Sequence, residues 1–417
     1  MIYVYKILVN LIILFSPIII IIRILNKKEH PIRFFEKFSF FSKERREGNL
    51  IWFHAVSVGE LLSIIPIIKV LEKKKYISQI LVTSSTLSSA KLFTKFNFKK
   101  TIHQFFPIDN DYFTNKFIRY WKPKLAIFVD SEIWPNMLAN LKRKKIQKVL
   151  LNARISHNSF KKWNLLKSFS KLVFANIDYF FPQNLETKKF LKKLNVKKIK
   201  SLGNLKFINA SDYKLKLNTN LKKISKKKIF CAASTHEGEE KICVEIYYKL
   251  QKKYKDLLLI IIPRHINRSE KIIKLLKEYN MKYQLHSKNE KFDNRTNAYI
   301  VDTYGETEIF FKISSHVLMG KSITKDGGQN PLEAARNNCV IFHGPKVSNF
   351  TEIYEFLNQK KIAFKIKNTR SLYKALSKSF KKKVNKKSKN KLNRISKTIL
   401  KNNIKEIEKI ILSSNAV

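Results

Sequence analysis

The sequence has few cysteines, and their placement limits the classes of protein to which it can belong. It contains 3 cysteines in 417 residues, and Cys231, Cys243 and Cys339 are widely spaced without a Cys-x-x-Cys pair. An odd and scattered set argues against a disulfide framework and fits a reducing compartment. No group of residues has the spacing of zinc ligands.

Glycine is also scarce, with 9 residues in the whole chain. The sequence contains neither a Walker motif nor a Gly-x-Gly-x-x-Gly run. These glycine-rich loops cradle the phosphates of ATP and of dinucleotides, so ATP hydrolysis and NAD binding are poorly supported.

Acidic side chains are heavily outnumbered by basic ones. The chain has 84 Lys and Arg residues against 31 Asp and Glu residues, which gives a net charge of +53. Two explanations stay open. One is compositional drift in an AT-rich genome, since Lys, Asn and Ile are abundant. The other is a set of anionic partners, such as a membrane surface, a nucleic acid or a phosphorylated substrate.

The amino end is strongly apolar. From Ile7 to Ile22 only Asn10, Ser16 and Pro17 interrupt the apolar run, whose length is at the short limit of a membrane span of about 20 residues. The basic residues follow the run, which is not the order of a signal peptide. We therefore expect a membrane anchor that either spans the bilayer or lies in its interface; a buried helix is the alternative.

The basic flank after this segment gives an orientation. It consists of Arg23, Lys27, Lys28, Arg33, Lys37, Lys43, Arg45 and Arg46. Positive charge on this side of a membrane segment predicts that the body of the protein is cytoplasmic. The same residues are suited to anionic lipid head groups or to a phosphorylated lipid substrate.

After the anchor, apolar strand-like runs alternate with helix-like periods. The predicted strands are 50–56, 79–84, 124–129, 148–152 and 178–181, then 228–233, 257–262, 298–301, 315–319 and 339–342. Two successive arrays of this kind predict two doubly wound α/β domains that face a cleft. The chain is also too long for one typical core.

The predicted boundaries divide the chain into five regions. Residues 1–25 are predicted to be the anchor, and 26–207 a Rossmann-like domain. A polar, Lys-rich stretch at 208–227 is expected to be a linker. Residues 228–395 are predicted to form a second Rossmann-like domain, and 396–417 a C-terminal helix.

Polar residues follow several predicted strands, at the edge where α/β sheets bind their ligands. In the first domain the carboxylates of Glu60 and Asp130 lie at such positions. Glu60 ends the turn Ser57-Val58-Gly59-Glu60 and begins a helix, where the helix dipole alone favours an acid. From this position alone, two interpretations of Glu60 stay open: a structural cap of the helix and a catalytic base.

The second array carries groups suited to phosphate. They include Arg264 and a Gly-Gly turn followed by Asn330-Pro331, a pattern typical of a helix start. Arginine and helix N-termini bind phosphate, although Arg264 and His265 also fit as surface polar residues. The combination predicts a nucleotide site in the second domain and an acceptor site with a base in the first.

Eight ordered motifs carry a resemblance to a known family. They are His54-Ala-Val-Ser-Val-Gly-Glu60, Ser131-Glu-Ile-Trp-Pro-Asn136, Asn152-Ala-Arg-Ile-Ser156, Gly203-Asn-Leu-Lys-Phe207, Ala233-Ser-Thr-His-Glu-Gly-Glu-Glu240, Pro263-Arg-His265, Asp302-Thr-x-Gly-Glu306 and Gly327-Gly-x-Asn-Pro-Leu-Glu-Ala334. In this order they resemble the 3-deoxy-D-manno-octulosonic acid (Kdo) transferases, bacterial enzymes that add Kdo to a lipid A precursor.

The resemblance implies a fold, a reaction and a location. The fold is GT-B, held by its N-terminus at the cytoplasmic face of the inner membrane. The donor is CMP-Kdo and the acceptor is lipid IVA; the reaction inverts the anomeric carbon and requires no metal or other cofactor. No nucleic-acid partner is expected.

By position, the resemblance also implies roles for individual residues. Glu60 matches the general base, and Asp130 and Lys206 match transition-state stabilisers. The CMP-binding segments correspond to Pro263, Arg264, Tyr304, Gly305, Glu306, Asn330, Pro331, Leu332 and Glu333, with Glu333 expected on the ribose hydroxyls. Ser57, Gly59 and His265 are expected as further substrate-binding residues.

Four positions depart from the family pattern: Asp130 stands where Glu is frequent, Gln329 where His is usual, Lys321 where Gly is often seen, and Tyr304 where Met is common. Two other functions stay open. One is a different GT-B enzyme that transfers from another nucleotide sugar to a lipid acceptor. The other is a membrane-tethered nucleic-acid-binding protein, although the sequence lacks an aromatic and basic platform.

Overall fold

A computed structural model describes residues 1–208, 217–382 and 388–413. The chain forms two compact units. The first, called here the N-terminal unit, comprises Met1–Ser211 and Ile395–Val417, and the second, the C-terminal unit, comprises Asp212–Arg394. Within the described residues, each unit is built around one parallel β-sheet.

The sheet of the N-terminal unit has six described strands in the order β3-β2-β1-β4-β5-β6. They are β1 (Leu50–His54), β2 (Gln79–Ser84), β3 (Thr101–Phe105), β4 (Leu125–Val129), β5 (Gln147–Ala153) and β6 (Tyr179–Pro182). All neighbours run parallel. The direction of strand order reverses between β1 and β4, so ligands are expected beyond the carboxyl ends of these two strands.

Helices cover the sheet because each parallel strand needs a crossover connection. The helices of this unit up to residue 193 are, in chain order, α1 (Ile2–Leu25), which precedes the sheet, and then α2 (Val58–Leu71), α3 (Leu87–Phe93), α4 (Asp111–Trp121), α5 (Pro135–Arg143), α6 (His157–Leu165), α7 (Lys167–Phe174) and α8 (Leu185–Lys193). The core contains Trp52, Phe117, Trp121 and Phe128, all essentially inaccessible to solvent. The near-continuous burial of strands such as β1 and β4 is typical of a sheet covered on both faces.

The C-terminal unit repeats this plan with seven described strands in the order β13-β12-β11-β7-β8-β10-β9. The strands are β7 (Lys228–Thr235), β8 (Leu257–Pro263), β9 (Tyr283–Leu285), β10 (Ala298–Ile300), β11 (His316–Met319), β12 (Val340–His343) and β13 (Ala363–Lys365). The helices are α9 (Thr219–Ile224), α10 (Glu239–Gln251), α11 (Ser269–Glu278), α12 (Thr307–Ile313), α13 (Leu332–Arg336), α14 (Thr351–Gln359) and α15 (Thr369–Ser379). The direction of strand order reverses beside β7, because β8 lies on one side of this strand and β11 on the other.

The predicted class of two doubly wound α/β domains is confirmed by these sheets. One detail of the linker prediction is wrong, because Thr219–Ile224 form the helix α9. Asn218 caps this helix by accepting from the Leu221 N–H at 2.8 Å, a local signal that the Lys-rich composition obscured. Residues 209–216 of the predicted linker lie outside the described residues.

The last helix, α16 (Ser388–Ser413), begins eight residues before the predicted start, and from residue 395 onward it belongs to the N-terminal unit. Glu408 accepts a hydrogen bond from the Tyr76 hydroxyl at 2.9 Å and pairs with Lys74 at 2.6 Å. Gly203 faces Ile399 so closely that an added Cβ would lie 2.6 Å from Ile399 Cγ1. Its φ of 94° also favours glycine.

The first helix, α1, has a mean hydropathy of 2.7 over its most apolar window, of which only 17% is buried. By length and composition it can cross a membrane. Polar contacts from its first half hold it to the region around Asp109. The Tyr5 hydroxyl donates to Asp109 at 2.6 Å, and Asn110 Nδ2 donates to Asn10 Oδ1 at 2.8 Å.

Candidate active site

Glu60 lies at the carboxyl end of β1, in the first turn of α2. Ser57 is the N-cap of this helix, and its side chain accepts from the Glu60 N–H at 3.3 Å. The Ser57 hydroxyl in turn donates to Glu60 Oε1 at 2.8 Å, and the Val56 N–H donates to Oε2 at 2.8 Å. The carboxylate is thereby fixed, and the space beside Gly59 is open, since nothing lies within 4 Å of an added Cβ.

The pKa of Glu60 is raised, chiefly because burial disfavours the charged carboxylate. The hydrogen bonds from Ser57 and Val56 lower it, whereas the negative charges of Glu132 and Asp130 raise it further. A carboxyl with a raised pKa is a stronger base once it has lost its proton. This arrangement is therefore suited to taking a proton from a substrate hydroxyl.

Glu132 is a second carboxylate close to Glu60, and no role for it was predicted from the sequence. Trp134 Nε1 donates to Glu132 Oε2 at 2.9 Å. The Nε2 atom of the fully buried His54 lies 3.4 Å from the same oxygen, without the alignment of a hydrogen bond. His54 is held through Nδ1 by Thr83 Oγ1 at 3.0 Å. All three residues His54, Glu132 and Trp134 belong to the motifs that carry the family resemblance, which was the signal available.

Asp130 follows β4, on the other side of the switch point from Glu60. Its φ is 65°, an uncommon value for a residue with a side chain. Neighbouring backbone holds it there: its N–H donates to the Leu151 carbonyl and its carbonyl accepts from the Arg154 N–H, both at 3.0 Å. Burial raises the pKa of Asp130, and the cations of Lys206 and Arg154 oppose that rise.

Lys206 lies in a short 3-10 helix, Leu205–Phe207. Asn152 positions this turn, because its Oδ1 accepts from the Leu205 N–H at 2.9 Å. Burial lowers the pKa of Lys206, and attraction to Asp130 and Glu60 opposes the effect. The structure thus brings Glu60, Asp130 and Lys206 within electrostatic reach of one another. It adds Arg154 and Glu132, whose roles depend on side-chain placement that a sequence does not show.

In the C-terminal unit the carboxyl edge of the sheet is organised by Glu239. Its buried carboxylate accepts from four backbone N–H groups: His236 at 2.9 Å, Lys321 at 2.8 Å, Ser322 at 3.0 Å and Ile323 at 3.1 Å. It therefore ties the loop after β7 to the loop after β11. This long-range role was not visible in the sequence.

Arg264 and His265 follow β8, at the same edge of the sheet. Both side chains are exposed, while Pro263 is buried. The Arg264 N–H donates to the Thr235 carbonyl at 3.1 Å, and the His265 ring lies 6.1 Å from the ring of His236. The guanidinium group is thus presented to solvent at a sheet edge, where it is available for an anion.

Tyr304, Gly305 and Glu306 follow β10. Tyr304 is 69% exposed, and Gly305 has a φ of 85°. Glu306 is the N-cap position of α12; its carboxylate accepts from the Thr303 hydroxyl and lies 3.2 Å from His286 Nε2.

The Asn330 segment differs in detail from the predicted helix start. The helix α13 begins at Leu332, and its N-cap is Pro331, not Asn330. Asn330 Oδ1 still accepts from the Leu332 N–H, at 3.1 Å. Glu333 keeps an exposed surface, while partial removal from water and repulsion by Glu308 raise its pKa; Arg336 opposes this rise.

The loop before this segment explains one departure from the family pattern. Lys321 has a φ of 55°, a conformation in which glycine carries no steric cost. Gly327 and Gly328 also have positive φ, 123° and 66°. An added Cβ on Gly327 would lie 3.2 Å from Lys321 Nζ, so this lysine extends along the Gly-Gly turn.

The fold, with its two parallel sheets, identifies the class of protein. A crystal structure of a glycosyltransferase from Rickettsia africae matches with a TM-score of 0.57 over 88% of this chain and 99% of that one, at 11% identity. At that identity the match shows the fold alone, which is that of GT-B glycosyltransferases and related enzymes.

Sequence comparison is more specific. A family model described as 3-deoxy-D-manno-octulosonic-acid transferase matches residues 32–209. The chain is 37% identical to a 3-deoxy-D-manno-octulosonic acid transferase of Rickettsia felis, over 79% of this chain and 71% of that protein. It is 36% identical to one of Rickettsia bellii over 86% of each. The chain belongs to the Kdo transferase family, and it is a glycosyltransferase.

Proposed function

We propose that this protein transfers Kdo from CMP-Kdo to lipid IVA, with inversion at the anomeric carbon and release of CMP. Family membership supports Kdo as the transferred sugar. The observation that carries the mechanism is the Glu60 carboxylate, fixed by two hydrogen bonds beyond the carboxyl end of β1 and within electrostatic reach of Lys206.

Glu60 acts as the general base. It takes the proton from a hydroxyl of the acceptor sugar as the hydroxyl oxygen attacks the anomeric carbon of Kdo. The new glycosidic bond forms while the bond from that carbon to the CMP phosphate oxygen breaks, and the electron pair leaves with CMP. A single displacement of this kind inverts the carbon. A well-placed base contributes about 10²–10⁴-fold to such a rate.

Lys206 supplies positive charge to the same step. A compact ammonium group stabilises the charge that develops on the departing phosphate, or the carboxylate of Kdo. Because burial lowers the pKa of Lys206, Asp130 has the further role of keeping this amine protonated. The side chain of Asp130 is one methylene shorter than that of Glu. The unusual backbone conformation of Asp130, with a φ of 65°, contributes to the placement of its carboxylate.

The C-terminal unit binds the donor. Arg264 is proposed on the phosphate with Pro263 and His265 beside it, and Glu333 on the ribose hydroxyls. The remaining contacts to CMP are assigned to Tyr304, Gly305, Glu306, Asn330, Pro331 and Leu332. In the N-terminal unit, Ser57 and Gly59 are proposed to border the acceptor.

The protein is proposed to be held at the cytoplasmic face of the inner membrane by α1. Support comes from the apolar, largely exposed surface of this helix and from the basic residues that follow it. A lipid acceptor embedded in that membrane is then delivered to Glu60 from the bilayer.

The test is incubation of the full-length protein with CMP-Kdo and tetra-acylated lipid A precursor, read by mass spectrometry. We expect added Kdo masses with the wild type and loss of transfer with Glu60→Gln, while CMP binding survives. Glu186→Gln is a matched control, since Glu186 is an exposed acid in the first turn of α8. Normal turnover by Glu60→Gln would refute the assigned base. Inhibition by UDP or GDP but not by CMP would favour a different nucleotide sugar.

A further inference from the structure

The N-terminal unit contains a cavity that the proposed reaction has not used. Its volume is about 420 Å³, and it lies where α1 ends and α3 begins. The lining residues are Arg23, Lys27, Lys28, Thr86, Leu87, Ser88 and Lys91. Four of these side chains are cationic, two carry hydroxyl groups, and none is a carboxylate.

The turn after α1 builds one wall of this cavity. The Lys28 N–H donates to the Arg23 carbonyl at 2.8 Å, and Arg23 donates back to the Lys28 carbonyl at 3.2 Å. Lys27, between them, has a φ of 53°. The chain therefore folds back on itself and places three cations together at the end of the apolar helix.

Little negative charge compensates these cations. Glu29 pairs with Arg23 at 3.1 Å, but its carboxylate is shared with Lys37. In the part of the chain that the structure describes, Lys27, Lys28 and Lys91 form no ion pair with a carboxylate. Like charges so close together are unfavourable, so the cavity is electrostatically incomplete without an anion.

Another lining residue, Thr86, is linked to Glu60 through the backbone of Val56. The Thr86 hydroxyl donates to the Val56 carbonyl at 3.3 Å. The N–H of the same Val56 donates to Glu60 Oε2 at 2.8 Å. Val56 therefore connects the lining of the cavity to the carboxylate assigned as the base.

An apolar surface leads to the mouth of the cavity. Ile22 and Leu25, in the last turn of α1, are 53% and 77% exposed. A lipid whose acyl chains lie along α1 would thus bring its polar head to the four cations. The chemistry selects a phosphomonoester, which carries about −1.5 to −2 charges near pH 7 and three acceptor oxygens, and which Arg and Lys bind with charge-assisted hydrogen bonds.

We propose that this cavity binds a phosphomonoester of the glycolipid acceptor and thereby positions the acceptor sugar against Glu60. The inference rests on the proposed function, because it requires a phosphorylated lipid as the acceptor. It adds a defined subsite, and it predicts that the enzyme discriminates between acceptors with and without that phosphate.

The test compares the double variant Lys28→Gln/Lys91→Gln with the wild type on two acceptors, tetra-acylated lipid A precursor and the same lipid after phosphatase treatment. We expect kcat/KM on the phosphorylated acceptor to fall at least about tenfold, mainly through KM. On the dephosphorylated acceptor the variant and the wild type should be equal. Lys73→Gln/Lys95→Gln removes the same charge from exposed positions outside the cavity and is the control.

Three outcomes would overturn the proposal. One is equal loss on both acceptors. Another is an effect no larger than that of the control. The third is a KM effect that follows the fraction of anionic phospholipid in mixed micelles of detergent and acceptor, rather than the acceptor phosphate. That result would assign the cavity to a bilayer lipid.

Failure of the proposed function is distinguishable, because the wild type would then transfer no Kdo to either acceptor. Unchanged CMP affinity and thermal unfolding establish that the variant is folded, and Lys91→Gln alone provides a milder variant.

Discussion

The Ser57 hydroxyl is a small group with a specific expected effect on Glu60. It donates to Glu60 Oε1 at 2.8 Å, whereas the hydrogen bond to Oε2, also at 2.8 Å, comes from the backbone N–H of Val56. Ser57→Ala removes it and leaves the Val56 N–H in place. Because this bond lowers the pKa of Glu60, its loss raises the pKa further.

The size of the effect follows from the strength of the bond. A hydrogen bond to a charged group contributes about 1.5–3 kcal/mol, and one pKa unit corresponds to about 1.4 kcal/mol. Glu60 is only half-buried, so water replaces part of the lost interaction, and the net loss is expected at the lower end of this range, about 1.4 kcal/mol or tenfold in rate. The base is active when deprotonated, so the acid limb of the pH profile moves to higher pH.

The assay is kcat/KM for Kdo transfer over a range of pH. Below the acid limb, Ser57→Ala should be about tenfold slower than the wild type, and the two should converge at higher pH. Loss of the N-cap of α2 also costs about 1 kcal/mol of stability. Ser156→Ala is the matched control, because it removes the serine cap of α6. An acid limb that stays in place, or that moves to lower pH, would refute the role assigned to Glu60.

Two further predictions concern stability. Gly320→Ala should lower the free energy of unfolding by about 1–3 kcal/mol, because the new Cβ would lie 2.3 Å from the Ser234 carbonyl oxygen; Gly59→Ala, where space is open, should not. Thermal unfolding measures both. Burial raises the pKa of Asp109 from 3.8 to about 6, so the folded protein binds this proton more tightly than the unfolded chain. The contribution of Asp109 to the free energy of unfolding should then fall by up to about 3 kcal/mol as pH rises through that interval, and Asp109→Asn should make the pH dependence of unfolding shallower in detergent-solubilised protein.

Most of the sheet could be predicted from the sequence because central parallel strands are buried on both faces. The apolar runs at 50–56 and 257–262, for example, correspond to β1 and β8 within two residues. The three strands that the prediction missed are β3, β9 and β13, and all three lie at sheet edges. An edge strand needs fewer apolar residues and is often short. Thr101–Phe105 mixes polar and apolar side chains, and β9 and β13 have three residues each.

The position of the candidate site was predictable for a similar reason, whereas its internal contacts were not. Glu60 and Asp130 each follow an easily recognised strand, and the carboxyl edge of a parallel sheet collects such residues. The sequence does not show that Glu239 binds backbone groups as far away as Ile323. Such a contact depends on the packing of two loops and has no local pattern.

The electrostatic network around Asp130 leads to a prediction that separates its role from a purely structural one. Asp130 raises the pKa of Glu60 by repulsion and the pKa of Lys206 by attraction. Asp130→Asn should therefore lower both pKa values, and the acid and basic limbs of the pH profile should move to lower pH together. Lys206→Met should instead remove the basic limb and lower kcat at every pH. A structural defect would reduce the height of the profile without moving its limbs, and that result in Asp130→Asn would contradict the assigned coupling. Because Ser57→Ala moves only the acid limb, and to higher pH, the variants distinguish which group each limb reports.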